Sequence, residues 1–354
     1  MVLVRSTLTR VRYTFLSLLG SVYLGKDIKT GVEVALKIGQ AEHSPSKLSH
    51  EYNVYTALAG SLGIAEVCWY GKEGIHEVIA LEYLGTSLDD LICEHPLSVR
   101  KMFLYTSQMV HDVRLCKRIP LITLSPAQLS AVESLHTRHY IHRDIKPGNF
   151  MVRTDNLPPT IFLIDFGLAQ QFRNPATYLH IPFSTNQPIV GTLPFMSING
   201  QKGYTQSRRD DLESLIYTIV YAARGDLPWT GSSVRSNHEA VLQMKLSTTI
   251  EELCEGLPTF FRNFVSHVRS LDFDRKPDYQ YLHSILLRVS DSKTEIDPPS
   301  NVLPPARSHS SPSTHSPASP SARSPTSPPV HSPVSLSLHP SFNAHCAPVF
   351  SDKK

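Results

Sequence analysis

Two short runs in this chain combine side chains suited to moving a phosphoryl group. The first is His142-Arg143-Asp144-Ile145-Lys146-Pro147-Gly148-Asn149, and the second is Leu163-Ile164-Asp165-Phe166-Gly167. Asp144 can accept the proton of an incoming hydroxyl, and Asn149 can hold a metal ion. Asp165 can hold Mg²⁺ against the phosphates of a nucleotide. A lone H-R-D tripeptide would carry little weight. H-R-D-x-K-P-x-N followed by D-F-G, 21 residues apart from aspartate to aspartate, brings both halves of the chemistry in order. A charged surface loop beside an unrelated turn is the plainer reading, and the combined motif leaves it little room.

Three further residues complete the set. Val34-Ala35-Leu36-Lys37 puts a lysine on a strand, where it can contact the α- and β-phosphates. Glu51, in the helix that follows, can pair with it and hold it. An exposed strand lysine is the alternative for Lys37. The order and spacing of Lys37, Glu51, Asp144, Asn149 and Asp165 argue against that. Lys146 would lie near the transferred phosphate and neutralise developing charge.

These residues need elements to hold them. Residues 11–80 alternate like strands, and Gly31-Val32-Glu33-Val34-Ala35-Leu36-Lys37-Ile38 follows a Lys29-Thr30-Gly31 turn, a hairpin signal. Residues 46–60 have helical spacing, with Leu48, Tyr52, Tyr55 and Leu58 on one face. Beyond Ser87 the pattern is mainly helical, and Asp210-Asp211-Leu212-Glu213 opens a long apolar helix with acidic residues in its first turn. Strands first and helices after predict an α+β architecture, a small β-rich lobe (about 11–85) stacked on a helical lobe (about 86–290).

The 354 residues suit one two-lobed domain plus a tail, and 41% hydrophobic residues can build a large core. The net charge of +3 argues neither for nor against a nucleic-acid partner, and no basic block appears. The five cysteines show no metal-ligand spacing and read as reduced thiols of an intracellular protein. Arg5, Arg10 and Arg12 precede the apolar run from Phe15 to Leu24, like the basic and apolar regions of a secretory signal. No small-x-small site follows closely and the run passes into strand-like sequence, so secretion is not expected. No stretch reaches the roughly 18 apolar residues of a membrane helix. Residues 291–354 hold 13 of the 27 prolines and six Ser-Pro pairs. Such a composition cannot bury enough apolar surface to offset its ordering entropy, so a disordered tail is expected. It can serve as a set of proline-directed phosphorylation sites or as a passive extension.

From about Tyr13 to Val289 the chain resembles the protein kinases, and within them the casein kinase 1 family. The words that carry this are Leu84-Gly85-Thr86-Ser87-Leu88-Asp89-Asp90-Leu91, Asp165-Phe166-Gly167-Leu168-Ala169 and His180-Ile181-Pro182-Phe183. Ser197-Ile198-Asn199 stands where most kinases carry A-P-E. Gln206-Ser207-Arg208-Arg209-Asp210-Asp211-Leu212-Glu213-Ser214, Leu227-Pro228-Trp229 and Lys276-Pro277-Asp278-Tyr279 complete the series. The resemblance implies a bilobal protein-kinase fold, ATP with Mg²⁺, and Ser/Thr protein substrates. It implies a nucleotide site that includes Gly20, Val22, Ala35, Lys37, Glu51 and Asp165. Adenine contacts would come from Glu82 to Leu84, with Leu81 as gatekeeper. Thr192 would bond near Asp144 and Lys146, and Asp211 would brace the catalytic loop. A monomer in the cytoplasm or nucleus, with no membrane or nucleic-acid partner and no need of activation-loop phosphorylation, is the matching expectation.

The sequence departs from that family in three places. G-x-G-x-x-G should fall at positions 15, 17 and 20, and the chain has Phe15, Ser17 and Gly20. Glycine permits close backbone approach to phosphates, and Phe15 and Ser17 restrict it. Val110 to Gln128 is a 19-residue insert within one expected helix, and the match resumes at Leu129. Pro120 and Pro126 continue a helix poorly, at roughly 3 kcal/mol each in an interior. A valine codon begins GT and glutamine can be CAG, so a retained intron is one account and a real surface loop the other. Sequencing the transcript between Met109 and Leu129 decides between them. Lastly, Pro194 replaces an arginine that reads a phosphate already on the substrate, and the basic stretch after Trp229 is reduced to Arg235 and His238. Proline supplies no charge-assisted bond, which argues against a preference for primed substrates.

Overall fold

The computed structural model describes residues 13–19, 22–40, 46–73, 75–94, 125–153, 159–231 and 237–291. The chain divides into a compact unit, Met1–Pro298, and a second, Pro299–Lys354. All described residues lie in the first unit. The expected tail, from residue 292 onward, lies outside the described residues, as do Gly20, Arg235 and residues 95–124 of the insert region.

The N-terminal part is a five-stranded antiparallel sheet. Its strands are β1 (Tyr13–Leu19), β2 (Val22–Asp27), β3 (Glu33–Gln40), β4 (Val67–Glu73) and β5 (His76–Glu82), in the order β1-β2-β3-β5-β4. The predicted turn closes β2 onto β3. Asp27 Oδ1 accepts the N–H groups of Lys29 and Thr30, and Gly31 takes a φ of 73° that favours glycine. Period-two alternation splits the sheet into two faces. Val34, Leu36, Val78 and Ala80 form a small buried cluster on one side. On the other, the cross-strand rows Val22–Lys37–Ile79 and Leu24–Ala35–Leu81 place the lysine beside apolar neighbours.

Helix α1 (Lys47–Leu58) packs under this sheet. Ser46 caps it by accepting from Ser49 N at 2.9 Å. Leu48, Val54, Tyr55 and Leu58 are buried, and so is Glu51, a charged residue on the same side. Tyr52 stacks on Tyr70 with ring centroids 4.0 Å apart.

After β6 (Thr86–Ser87) and α2 (Leu88–Glu94) the chain is mainly helical. Helix α3 (Ser125–Thr137) begins four residues before the expected point at Leu129 and takes in the end of the 110–128 insert. Pro126 does not oppose this. It sits in the first turn, where its missing N–H has no intrahelical partner to lose. Leu129, Ala131, Val132 and Leu135 of α3 are fully buried. Short strands β7 (Tyr140–Ile141), β8 (Phe150–Arg153), β9 (Thr160–Leu163) and β10 (Gln170–Gln171) carry the loops of the site. They pair as β6-β8-β9 and β10-β7.

The remaining helices are α4 (Ile198–Gln201), α5 (Arg208–Arg224), α6 (His238–Ser247), α7 (Ile250–Leu253), α8 (Phe261–Arg269) and α9 (Tyr279–Asp291). Helix α5 buries 14 of its 17 residues, so it is the axis of the helical core rather than a surface helix. Asp210 accepts from the Ser207 N–H at 2.7 Å to start it, and Gly225 in the left-handed region ends it.

Candidate active site

Three elements bring the predicted clamp together. Lys37 on β3 reaches Glu51 on α1 at 2.8 Å and Asp165 Oδ1, after β9, at 2.7 Å. Burial by itself would lower the pKa of Lys37, but Glu51 and Asp165 together lift it above the ordinary lysine value. Burial also tends to raise the Asp165 carboxyl, and Lys37 outweighs it, holding Asp165 below the usual range. Burial pushes Glu51 up, and Lys37 offsets only part of that. The Asp165 side chain is 42% exposed, so it remains accessible to a ligand in the cleft.

Asp165 adopts φ 67° and ψ 71°, a left-handed conformation that aspartate tolerates better than most residues. Neighbouring aromatics hold it there. Phe166, fully buried, packs edge-on against Tyr55 of α1 at 4.7 Å and against His142 at 5.4 Å. The Asp165 N–H reaches Tyr55 Oη at 3.3 Å. One stack of rings therefore ties the helix that carries Glu51 to the loop that carries Asp165 and to the catalytic loop.

The catalytic loop runs from His142 to Asn149. Asp144 Oδ2 takes Lys146 Nζ at 2.7 Å, and Asp144 Oδ1 takes the Thr192 hydroxyl at 2.7 Å. Lys146 also donates to Thr192 Oγ1 at 3.0 Å, closing a three-membered cluster. Asn149 Nδ2 donates to the Asp144 carbonyl at 2.8 Å, leaving its amide oxygen as the atom suited to an ion. Gly191 has no alternative at its position: it takes φ +109°, and a Cβ there would meet the Arg143 carbonyl at 2.6 Å. That close approach brings Thr192 to Asp144.

The loop is held from both sides. Asp211, fully buried at the start of α5, accepts from the N–H groups of His142 and Arg143 at 2.7 and 2.9 Å and from His136 Nε2 at 2.9 Å. Burial would raise the Asp211 carboxyl, and its partners, His136 first, hold it below the ordinary range. Burial disfavours the charged form of His136, so its Nε2 donates to Asp211 while Nδ1 accepts from Tyr279 Oη at 2.5 Å. On the other side, His142 Nε2 donates to the Ile164 carbonyl at 3.0 Å and Arg143 Nε to the Leu168 carbonyl at 2.7 Å. The His142–Asn149 loop and the Asp165 loop thus form one stitched body.

Leu81 and Leu84 are buried at the end of β5, and the Glu82 side chain turns to Arg153 at 2.5 Å and the Glu66 N–H at 2.9 Å. The Glu82 backbone N–H in turn donates to the Glu66 carbonyl at 3.0 Å. Val22 and Ala35 sit in the same cross-strand rows as Lys37 and Leu81. Among the described residues no three His, Cys, Asp or Glu side chains converge on one point. Asp165 and Asn149 fit an ion such as Mg²⁺, which prefers one or two carboxylate-type ligands completed by phosphate oxygens and water.

The family model for the protein kinase domain matches residues 18–278, more than half of the chain. The chain belongs to the protein kinase family, and its β-rich N-terminal part and helical C-terminal part form that domain. Membership implies phosphoryl transfer to protein substrates. No helix among the described residues is long and apolar enough to cross a membrane.

Sequence reasoning missed several residues that serve this site. His136 and Tyr55 act through partners 75 or more positions away in the chain, so no local pattern marks them. The burial of Lys245 was missed as well. This lysine is 1% exposed on α6, one helical turn from buried Val241, and a lysine at an apolar-face position was the available signal.

Proposed function

We propose that this protein is a serine/threonine kinase of casein kinase 1 type, using ATP and Mg²⁺. The observation that carries the reading is the Asp144–Lys146–Thr192 cluster, joined through the stitched loops to the Lys37–Glu51–Asp165 clamp. Mg-ATP, when bound, supplies the γ-phosphoryl group. Lys37, fixed by Glu51, would hold the α- and β-phosphates, and Asp165 and Asn149 would hold the ion, which would neutralise phosphate charge. Asp144 orients the acceptor hydroxyl and takes its proton as the oxygen forms its bond to the γ-phosphorus and the bond to ADP breaks. Lys146 neutralises charge on the phosphoryl oxygens.

The long sequence words shared with casein kinase 1 support the finer assignment. His180 and Phe183 pack on Phe273 at 4.5 and 5.2 Å, and Arg208 lies over the ring of Phe172 at 4.5 Å, so aromatic contacts secure the activation segment. Pro194 supports unprimed substrates. We place the protein in the cytoplasm or nucleus. A second reading, a weak pseudokinase acting as a scaffold, draws on β1. Its register shifts between Phe15 and Ser17, where glycines would be expected. Radiolabelled ATP with a mixed pool of Ser, Thr and Tyr peptides separates the readings. Label on Ser and Thr that vanishes in Asp144→Asn supports the kinase, and no label above that control supports the scaffold.

A further inference from the structure

Beneath the loop that carries Thr192 lies a lysine that the chemistry above does not use. Lys245 Nζ donates to the carbonyls of Leu193 at 2.8 Å and Met196 at 2.7 Å, and to Gln201 Oε1 at 3.1 Å. Its three hydrogens meet three oxygens. Its charge faces the rings of Tyr217 at 5.3 Å and Trp229 at 5.5 Å. Glu213 and Arg209 of α5, and Arg269 of α8, line the same cavity of about 250 Å³. Glu213 is occupied elsewhere, accepting from Tyr217 Oη at 2.5 Å and the Ile198 N–H at 3.3 Å.

Burying an ammonium among neutral acceptors is costly, and burial pulls Lys245 down to about 7 against the opposing effect of Glu213. Simple packing would be served as well by methionine, which fills the same length without that cost. The charge is explained by what it holds. Residues 192–196 form a tight turn, in which the Phe195 and Met196 N–H groups both reach the Thr192 carbonyl, at 2.9 and 3.0 Å. Lys245 takes the carbonyls of Leu193 and Met196, and Trp229 Nε1 donates to the one between, Pro194, at 2.8 Å. At the head of the turn, the Thr192 hydroxyl bonds Asp144 and Lys146.

We infer that Lys245, assisted by Trp229, is a positioning residue for the acceptor side of phosphoryl transfer: it fixes the turn that presents Thr192 to Asp144 and Lys146. This rests on the kinase reading above. The turn borders the place where an acceptor peptide must lie, while the nucleotide is held by separate residues on β3, α1 and the Asp165 loop. Loosening the turn therefore affects peptide use and leaves nucleotide binding in place.

The test uses the full-length protein and its Lys245→Met, Lys245→Arg and Trp229→Phe variants. Three readouts are taken: peptide kcat/KM, the rise in Tm with Mg-ATP, and hydrogen–deuterium exchange across residues 190–200 and 47–58. In Lys245→Met the peptide kcat/KM is expected to fall roughly 10- to 100-fold, as misplacement of reacting groups does. Exchange should quicken at 190–200 only, and the Mg-ATP shift should persist. Trp229→Phe should move the same way by less, and Lys245→Arg, with the cavity to receive its longer head, should recover part of the loss. Unchanged peptide kinetics and exchange in Lys245→Met overturn the inference. So does a loss of the Mg-ATP shift in step with turnover, because that marks general collapse. Should Lys245→Met fail to fold, normal exchange at 190–200 in both other variants overturns it. A wild-type protein that labels no peptide overturns the kinase reading instead, and the exchange measurement still decides whether Lys245 fastens the turn.

Discussion

Lys37 is shared between two carboxylates, one of which, Glu51, is almost wholly buried. Removing the cation leaves a buried carboxylate without its partner, which typically costs roughly 3 kcal/mol or more. Lys37→Met should lower Tm at neutral pH and abolish the stabilisation by Mg-ATP. Calorimetry with and without nucleotide measures both. The pH window follows from the signs. The Lys37 pKa is raised, so its contribution is complete below 10.5 and fades only as pH rises through the still higher folded value. The Asp165 pKa is depressed, so its contribution is complete above 3.8 and fades as pH falls through the folded value. Lys37 and Asp165 therefore keep their charges across the neutral range, while burial of Glu51, which raises its pKa, works in the opposite sense. Asp210 behaves in the opposite sense. Burial raises its pKa from 3.8 to about 6. The folded state then holds a proton that the unfolded chain has lost, so this group makes the fold less stable as pH rises from about 4 to about 6, by on the order of 3 kcal/mol. Asp210→Asn, which keeps an oxygen for the Ser207 N–H, should flatten that part of the stability curve. Denaturant titrations at pH 4, 5, 6 and 7 would show it, and an unaltered slope would remove Asp210 as its source.

Strand β1 stands where a glycine-rich loop is expected to meet the nucleotide phosphates. It pairs with β2 from Tyr13↔Asp27 to Leu19↔Val22, with its register shift between Phe15 and Ser17. Glycines at 15 and 17 would admit positive φ and closer approach of the backbone to phosphates. Each recovered backbone bond adds on the order of 1 kcal/mol, and the added flexibility of the strand subtracts some of it. The Phe15→Gly, Ser17→Gly double variant should bind ATP more tightly, as measured by titration of both forms of the full-length chain. Equal or weaker affinity would remove the main physical support of the scaffold reading. Helix α5 matters for a different reason. Through Asp211 its first turn carries the backbone of the catalytic loop. Asp211→Asn keeps one acceptor oxygen but gives up the charge, and it should lower kcat more than it raises the KM for ATP.

At the scale of the whole domain, the Lys37–Glu51 pair and the Asp144–Lys146 pair sit on different parts of the fold, and the Asp165 loop touches both. Asp165 bonds Lys37 of the sheet, and the carbonyls flanking it are bonded by His142 and Arg143 of the catalytic loop. Nucleotide binding and transfer should therefore separate by mutation. At ATP concentrations near 100 times Kd, binding stabilises a protein by about 2.7 kcal/mol. Asp144→Asn should retain that stabilisation in a thermal melt and lose transfer. Asp165→Asn should lose both. Transfer that persists in Asp165→Asn would contradict its ion-holding role.

The motifs alone pointed to the candidate reacting groups and their order. Lys37, Glu51, Asp144, Lys146, Asn149 and Asp165 were legible because phosphoryl transfer needs those side chains in motifs whose spacing is local. The alternation of β3 and the periodicity of α1 were legible because one buried face imposes a period of two or 3.6. Tertiary structure decided what holds these groups. The tie from Asp211 to His136, the ring stack from Tyr55 to His142 and the bonds of Lys245 join residues far apart in the chain, which no local spacing encodes. It also decided where α3 begins. Helix propensity counted Pro126 as an interior breaker, whereas burial of Leu129, Ala131 and Val132 makes Ser125 the start and leaves the proline in a first turn that accepts it. Local chemistry names the reacting atoms, and long-range packing fixes their positions, because the bonds that orient a side chain come from whatever the fold brings beside it.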